Sequence, residues 1–364
     1  MRTSLRHFLL ALACALAVAG VSTASSAGSV RLGYTFTPIA FPGHQTATWP
    51  WNVNTEGVVI GEYWTGAPND AQNGSQALGF VDHFGHYVTI KEPNMGPYDE
   101  MNAMELTQSG EVIGGYYYGG SVSTAGSNGR IYIDRHGHFT NLNDPNAVAS
   151  CTTGQCGTWP LSANFWGEVV GSYVGTDGVW HGFIYQHGHW TTVDNPGCGA
   201  GNATQFTGVG DQGMMAGQCV SDGGNGNQVS NFLYTAHGQS LTFPDLTAQQ
   251  APGILPNSPT EWGDSTELWG VNDHGLRDGR YFAAAPTQDC SDLGLTINGF
   301  VEQNDRVTPI IVPSKTIHLP DISNPNTCVM NMYGANEAGQ IAGQYWDTST
   351  QYGESYGFVV NTGF

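Results

Sequence analysis

One seven-residue element, G-x-x-x-G-x-Tyr, recurs six times along this chain and constrains its fold more than any other feature. The copies read "GVVIGEY" from residue 57, "GEVIGGY" from 110, "GEVVGSY" from 167, "GMMAGQC" from 213, "GLRDGRY" from 275 and "GQIAGQY" from 339. Each is preceded by an apolar run such as "TWPWNVN" or "ELWGVN". Each is followed, after a loop of variable length, by a second run ("LGFV", "HGFIY", "YGFV") and, past a tight polar turn, by a third ("HYVTIKEP", "HWTTVDNP"). Every unit thus carries four short β-rich runs, labelled A to D from the centre outward, as a propeller blade requires. The last unit lacks run D, and the missing run stands at the front as "YTFTPIAFP", residues 34–42. An N-terminal strand that completes a C-terminal sheet closes a ring of sheets. The sequence therefore predicts an all-β fold: a six-bladed β-propeller of four-stranded blades, with no helical periodicity beyond residue 27.

The first 27 residues read as a signal peptide. Arg2 and Arg6 precede the apolar run "FLLALACALAVAGV", and small residues follow it. A single domain, 28–364, remains, expected to be secreted, with no membrane span and as a monomer. With the leader gone, eight of the ten basic residues face 30 acidic ones. That balance argues against nucleic acid or an anionic membrane as partner. Six cysteines remain, an even number suited to an oxidising compartment and without a CxxC pair to suggest zinc.

Connectivity sorts the loops. In an antiparallel blade the tight A–B and C–D turns share one face, and the long B–C and D–A loops share the other, here called the top. All six cysteines fall on the top, which predicts the disulfides Cys151–Cys156, Cys198–Cys219 and Cys290–Cys328. The "HGH" of residues 187–189 falls on the opposite face. It recurs beside His83, His86, His136 and His138 at equivalent C–D turns, so it reads as turn chemistry and not as a metal site.

The stretch "VVGSYVGTDGVWHGFIYQHGHWTTVDNPG", residues 169–197, resembles the HAF-repeat family of probable bacterial extracellular repeat proteins. The likeness rests on Gly171, Tyr173, His181, Gly182, Phe183, Asp194 and Pro196. It extends over the mature chain, with Cys219 and "RDGRY" as departures in the fourth and fifth units. The resemblance implies an exported repeat protein and no particular reaction.

Candidate functional residues follow from counting back from the Asn of "VNTEG" and its equivalents. Five residues back lie Trp49, Asn102, Trp159, Gln205, Glu267 and Asn331; three back lie Trp51, Met104, Leu161, Thr207, Trp269 and Tyr333. Strand B contributes Glu62 and Arg280 nearby, and Asp99 lies just outside. Aromatic rings among amides and carboxylates suit a sugar, whose faces stack and whose hydroxyls need polar partners. Long, irregular loops usually carry function on a rigid scaffold, so the site is expected on the top face; the predicted binding set there is Trp49, Asn102, Trp159, Gln205, Arg280 and Asn331, with an extracellular glycan or protein as partner. A glycoside hydrolase or polysaccharide lyase is the second expectation, using Glu267, Glu105, Glu62 or Asp99 as paired carboxylates. A structural matrix protein is the third. No cofactor is expected, although "SDGGNGNQ", with Asp222, Asn225 and Asn227, is a candidate calcium loop that lacks the closing Glu of an EF-hand.

Overall fold

The computed structural model describes residues 34–44, 47–66, 74–118, 127–152, 154–224, 228–235, 237–247, 249–251, 254, 266–284, 295–310, 327–347 and 354–363. These residues form an all-β structure in a β-propeller arrangement. Strand β1 (Thr35–Ile39) precedes the first unit, built of β2 (Thr48–Val53), β3 (Val59–Trp64), β4 (Ala77–His83) and β5 (His86–Ile90). The second unit holds β6 (Glu100–Leu106), β7 (Val112–Tyr118), β8 (Ser127–Arg135) and β9 (His138–Leu142). The third holds β10 (Gln155–Ala163), β11 (Val169–Val174), β12 (Trp180–Gln186) and β13 (His189–Val193). Next come β14 (Ala203–Val209), β15 (Met215–Val220), β16 (Gln228–Tyr234) and β17 (Ser240–Phe243), then β18 (Thr266–Val271), β19 (Arg277–Ala284), β20 (Leu295–Gln303) and β21 (Arg306–Ile310). The last unit has β22 (Thr327–Ala335), β23 (Gln340–Asp347) and β24 (Glu354–Asn361).

The six separate sheets expected from the repeats are instead four, two of eight strands and two of four. The reason is local. Ser127–Gly129 of β8 run parallel to Gln155–Gly157 of β10, and Ile297 of β20 pairs with Val329 of β22, so neighbouring antiparallel sets share backbone hydrogen bonds. Strand β1 pairs antiparallel with β24, from Thr35 opposite Asn361 to Ile39 opposite Gly357.

The structure explains both glycines of the repeat. The first lies in the A–B turn with positive φ, as at Gly167 (+84°). The second lies under strand A: a Cβ on Gly171 would come within 2.1 Å of the Trp159 carbonyl. The "HGH" turns are two-residue hairpin turns with both central residues left-handed, His187 at +50° and Gly188 at +84°. The consensus residues of the third unit form one network. The Tyr173 ring stacks on His181 at 5.2 Å, and His181 Nδ1 lies 2.8 Å from Asp194.

Two predicted disulfides are present, Cys151–Cys156 and Cys198–Cys219. The pair Cys290–Cys328 lies outside what the structure describes, as do the signal segment and Asn225 and Asn227 of the calcium-loop candidate. The Cys198–Cys219 bridge closes a 21-residue separation, against 5 for Cys151–Cys156. Removing it by Cys198→Ser/Cys219→Ser is expected to lower stability by about 3 kcal/mol, and removing the shorter bridge by about 2 kcal/mol. Denaturant midpoints of the two double variants measure the difference; equal losses would contradict the loop-length argument.

Candidate functional site

The positions nominated from the sequence are brought together by register. Trp49 pairs with Glu62, Asn102 with Gly115, Trp159 with Ser172, Gln205 with Gln218, Glu267 with Arg280 and Asn331 with Gln344. Between this ring and the A–B turns every strand A carries a bulge, and the bulged residues are Trp51, Met104, Leu161, Thr207, Trp269 and Tyr333. The bulge frees these side chains from the ladder, and three of them meet. Tyr333 lies 4.5 Å from the ring of Trp51 and edge-on to Trp269 at 5.6 Å.

Two of the predicted platforms are packed in the interior. Trp49 is buried with Ala47, Trp64 and Ala77, and Trp159 lies stacked on Tyr117 at 5.0 Å in a cluster with Val174 and Trp180. Asn102 and Asn331 are buried; Gln205 is half-buried. Arg280 is committed to Glu267, with Nη2 2.6 Å and Nε 2.7 Å from Oε2, and its Nη1 donates to Asn331 Oδ1. The guanidinium also sits 5.4 Å above the Trp269 ring.

The four candidate catalytic carboxylates occupy different surroundings. Glu267 is held by Arg280 and by the Trp269 indole, whose N–H donates at 3.1 Å. Glu62 is 6% exposed, and burial, followed by the nearby Glu100 charge, pushes it up to about 8 against the pull of the Trp51 and Trp64 indoles. Asp99 accepts from Tyr116 Oη at 2.7 Å and from Gly96 N at 2.8 Å. Glu105 lines a narrow cavity of about 30 Å³, and Asn52 Nδ2 donates to its Oε2 at 3.0 Å. Its other oxygen is buried without a hydrogen-bond partner, and burial, then the Asp211 charge, raises it well above the usual carboxylate range. Among the described residues no three His, Cys, Asp or Glu side chains gather as a metal-ligating group.

Among the described residues two open grooves lie on the turn face, opposite the top face where the site is expected. One, of about 490 Å³, runs along the seam between the third and fourth units. Trp166, 50% exposed, lines it, its backbone N–H donating to Asn164 Oδ1 and its ring edge-on to Phe165 at 5.6 Å. Gln186 and Gln212 are exposed at its rim, with Tyr234 and Glu168 in its walls. None of Glu62, Asp99, Glu105 or Glu267 borders it. The signal was legible: among the A–B turns "NTEG", "TQSG", "NFWG", "GDQG", "NDHG" and "NEAG", only one carries a tryptophan.

No family model and no curated protein matches this chain. Solved structures show remote likeness. A Dyadobacter fermentans protein described as of unknown function is 10% identical, with 90% of this chain and 99% of that one covered and a TM-score of 0.49. A Trypanosoma rangeli sialidase is 11% identical with a TM-score of 0.47; 91% of this chain is covered, spanning 58% of the sialidase's length. An Aleuria aurantia lectin in complex with Fucα1-6GlcNAc is 12% identical, with 78% and 81% covered and a TM-score of 0.38. No helix among the described residues is long and apolar enough to cross a membrane.

Proposed function

We propose that the chain is an exported six-bladed propeller of HAF-like repeats, closed through β1, that binds a neutral extracellular glycan in the Trp166 groove. Ring closure is supported by the cavity that Glu105 lines. Asn52, Glu105, Ser162, Gly208, Gly270 and Gly334, one equivalent residue from each repeat, all line it. Thr55 Oγ1 also donates to Asp211 Oδ2 at 2.7 Å, joining the first and fourth repeats.

The observation that carries the glycan reading is Trp166 itself. A half-exposed indole, set edge-on against Phe165 at 5.6 Å over a groove of ligand size with two exposed amides at its rim, offers a stacking surface and hydroxyl partners together. Glu168 and Asp211 in the same groove, on a chain of formal charge −20, disfavour anionic polysaccharides.

An array of neutral oligosaccharides is expected to yield ligands for the wild type. Trp166→Ala is expected to weaken them at least tenfold, about 1.4 kcal/mol, while Trp166→Phe keeps part of the affinity. The absence of any neutral-glycan ligand, or full binding by Trp166→Ala, would refute the assignment.

A further inference from the structure

The Trp166 groove has a counterpart at the equivalent place in the repeat. Aligned on the A–B turns, Asp211, Gln212 and Met215 of the fourth unit correspond to Thr55, Glu56 and Val59 of the first. Glu168 and Ile184 of the third correspond to Gln340 and Val359 of the last. The counterparts line a second groove, of about 510 Å³, at the seam of the last and first units. Repetition of the scaffold thus reproduces the concavity.

The aromatic group comes from the opposite wall. Phe84 is 76% exposed at the centre of the β4–β5 turn, with Tyr87 beside it in the groove. Its φ is +54°, a left-handed conformation that a bulky residue adopts at a cost. The equivalent turns carry His136, His187 and Asn304 in that conformation. A phenyl ring so placed adds little to the core and much to the surface, which singles it out as a contact residue.

We propose that this groove is a second site for the same neutral-glycan class, making the turn face bivalent. The proposal rests on the glycan reading of the Trp166 groove. In a six-membered ring the two seams are diametrically opposite, so both sites address one surface from either side of the axis. Two sites on a rigid frame convert weak single-site binding into slow release from a dense glycan layer.

The probes are cellohexaose, mannohexaose and N-acetylchitohexaose, with stoichiometry read by native mass spectrometry and titration calorimetry. The wild type is expected to take two copies of a bound probe. Trp166→Ala and Phe84→Asn, the latter borrowing the residue of the fifth repeat, should each take one, and the double variant none. On a surface coated with the same sugar, either single variant should dissociate at least tenfold faster than the wild type. One copy per chain, unaffected by Phe84→Asn, overturns bivalency and leaves the Trp166 site standing. If no probe binds, the second site falls together with the reading it rests on.

Discussion

Stability is expected to fall as pH rises from about 5 to 8, by several kcal/mol, because the interior holds carboxyl groups that must stay protonated. Asp278 is the clearest case. It is 0% exposed, neither carboxylate oxygen has a hydrogen-bond partner, and burial pushes it up to about 8. It stands one residue before the second repeat glycine, where the other units place Ile60, Ile113, Val170, Ala216 and Ala342. Glu62 is likewise raised to about 8, and Glu100 to about 7 by burial and then by Asp99. A carboxyl raised on folding binds its proton more tightly in the native state. Its contribution is complete below the unfolded value near 4 and is lost as pH climbs to the folded value, at up to ~1.4 kcal/mol per pH unit for each group. Asp278→Asn keeps the shape and removes the titration. Its unfolding midpoint should be less sensitive to pH than that of the wild type, and it should be the more stable of the two at pH 8. Parallel pH profiles would show that Asp278 does not carry its proton into the native state.

Much of this architecture was legible in the spacing of glycines. The two glycines of G-x-x-x-G answer to a left-handed turn and a close backbone approach, both local demands that leave a mark on sequence. The alternation of strands did the same for the Trp49–Glu62 ring, since a period of two fixes which residues share a face. The disulfides Cys151–Cys156 and Cys198–Cys219 followed from connectivity alone. What spacing did not reveal was depth. Trp49 and Trp159 stand where expected, but Trp49 is covered by Ala47, Trp64 and Ala77 of its own unit and Trp159 by Tyr117 and Ala203 of its neighbours, contacts that strand period alone does not give. The merging of sets into eight-stranded sheets was equally hidden, because it depends on three residues of β8 meeting three of β10. Trp166 was overlooked for another reason. Tight turns are as a rule structural and long loops functional, and the one tryptophan of "NFWG" among its sister turns departs from that rule.

The asparagine that opens four of the A–B turns supplies the second large effect. Asn54, Asn164, Asn272 and Asn336 each accept two turn N–H groups on Oδ1. Each then donates through Nδ2 to a carbonyl of the following unit: Leu106, Gly210, Asn336 and Asn54 in turn. One side chain thus ties its own turn and the seam to the next unit. The Asn336 to Asn54 bond, at 3.0 Å, crosses from the last repeat to the first, across 282 residues of chain. Asn336→Ala removes two turn caps and the seam bond together, which should lower stability by about 3 kcal/mol. Asn336→Asp keeps the acceptor and loses the donor, so its loss should be about half as large. Thr107 and Gly210 stand where the second and fourth units lack the asparagine. Thr107→Ala therefore breaks bonds within its own turn, to Ser109 and Glu111, and serves as the comparison, with an expected loss near 1 kcal/mol. Denaturant unfolding of the three variants orders them. A loss for Asn336→Ala no greater than for Thr107→Ala would mean that the last-to-first seam adds nothing to stability beyond the turn itself.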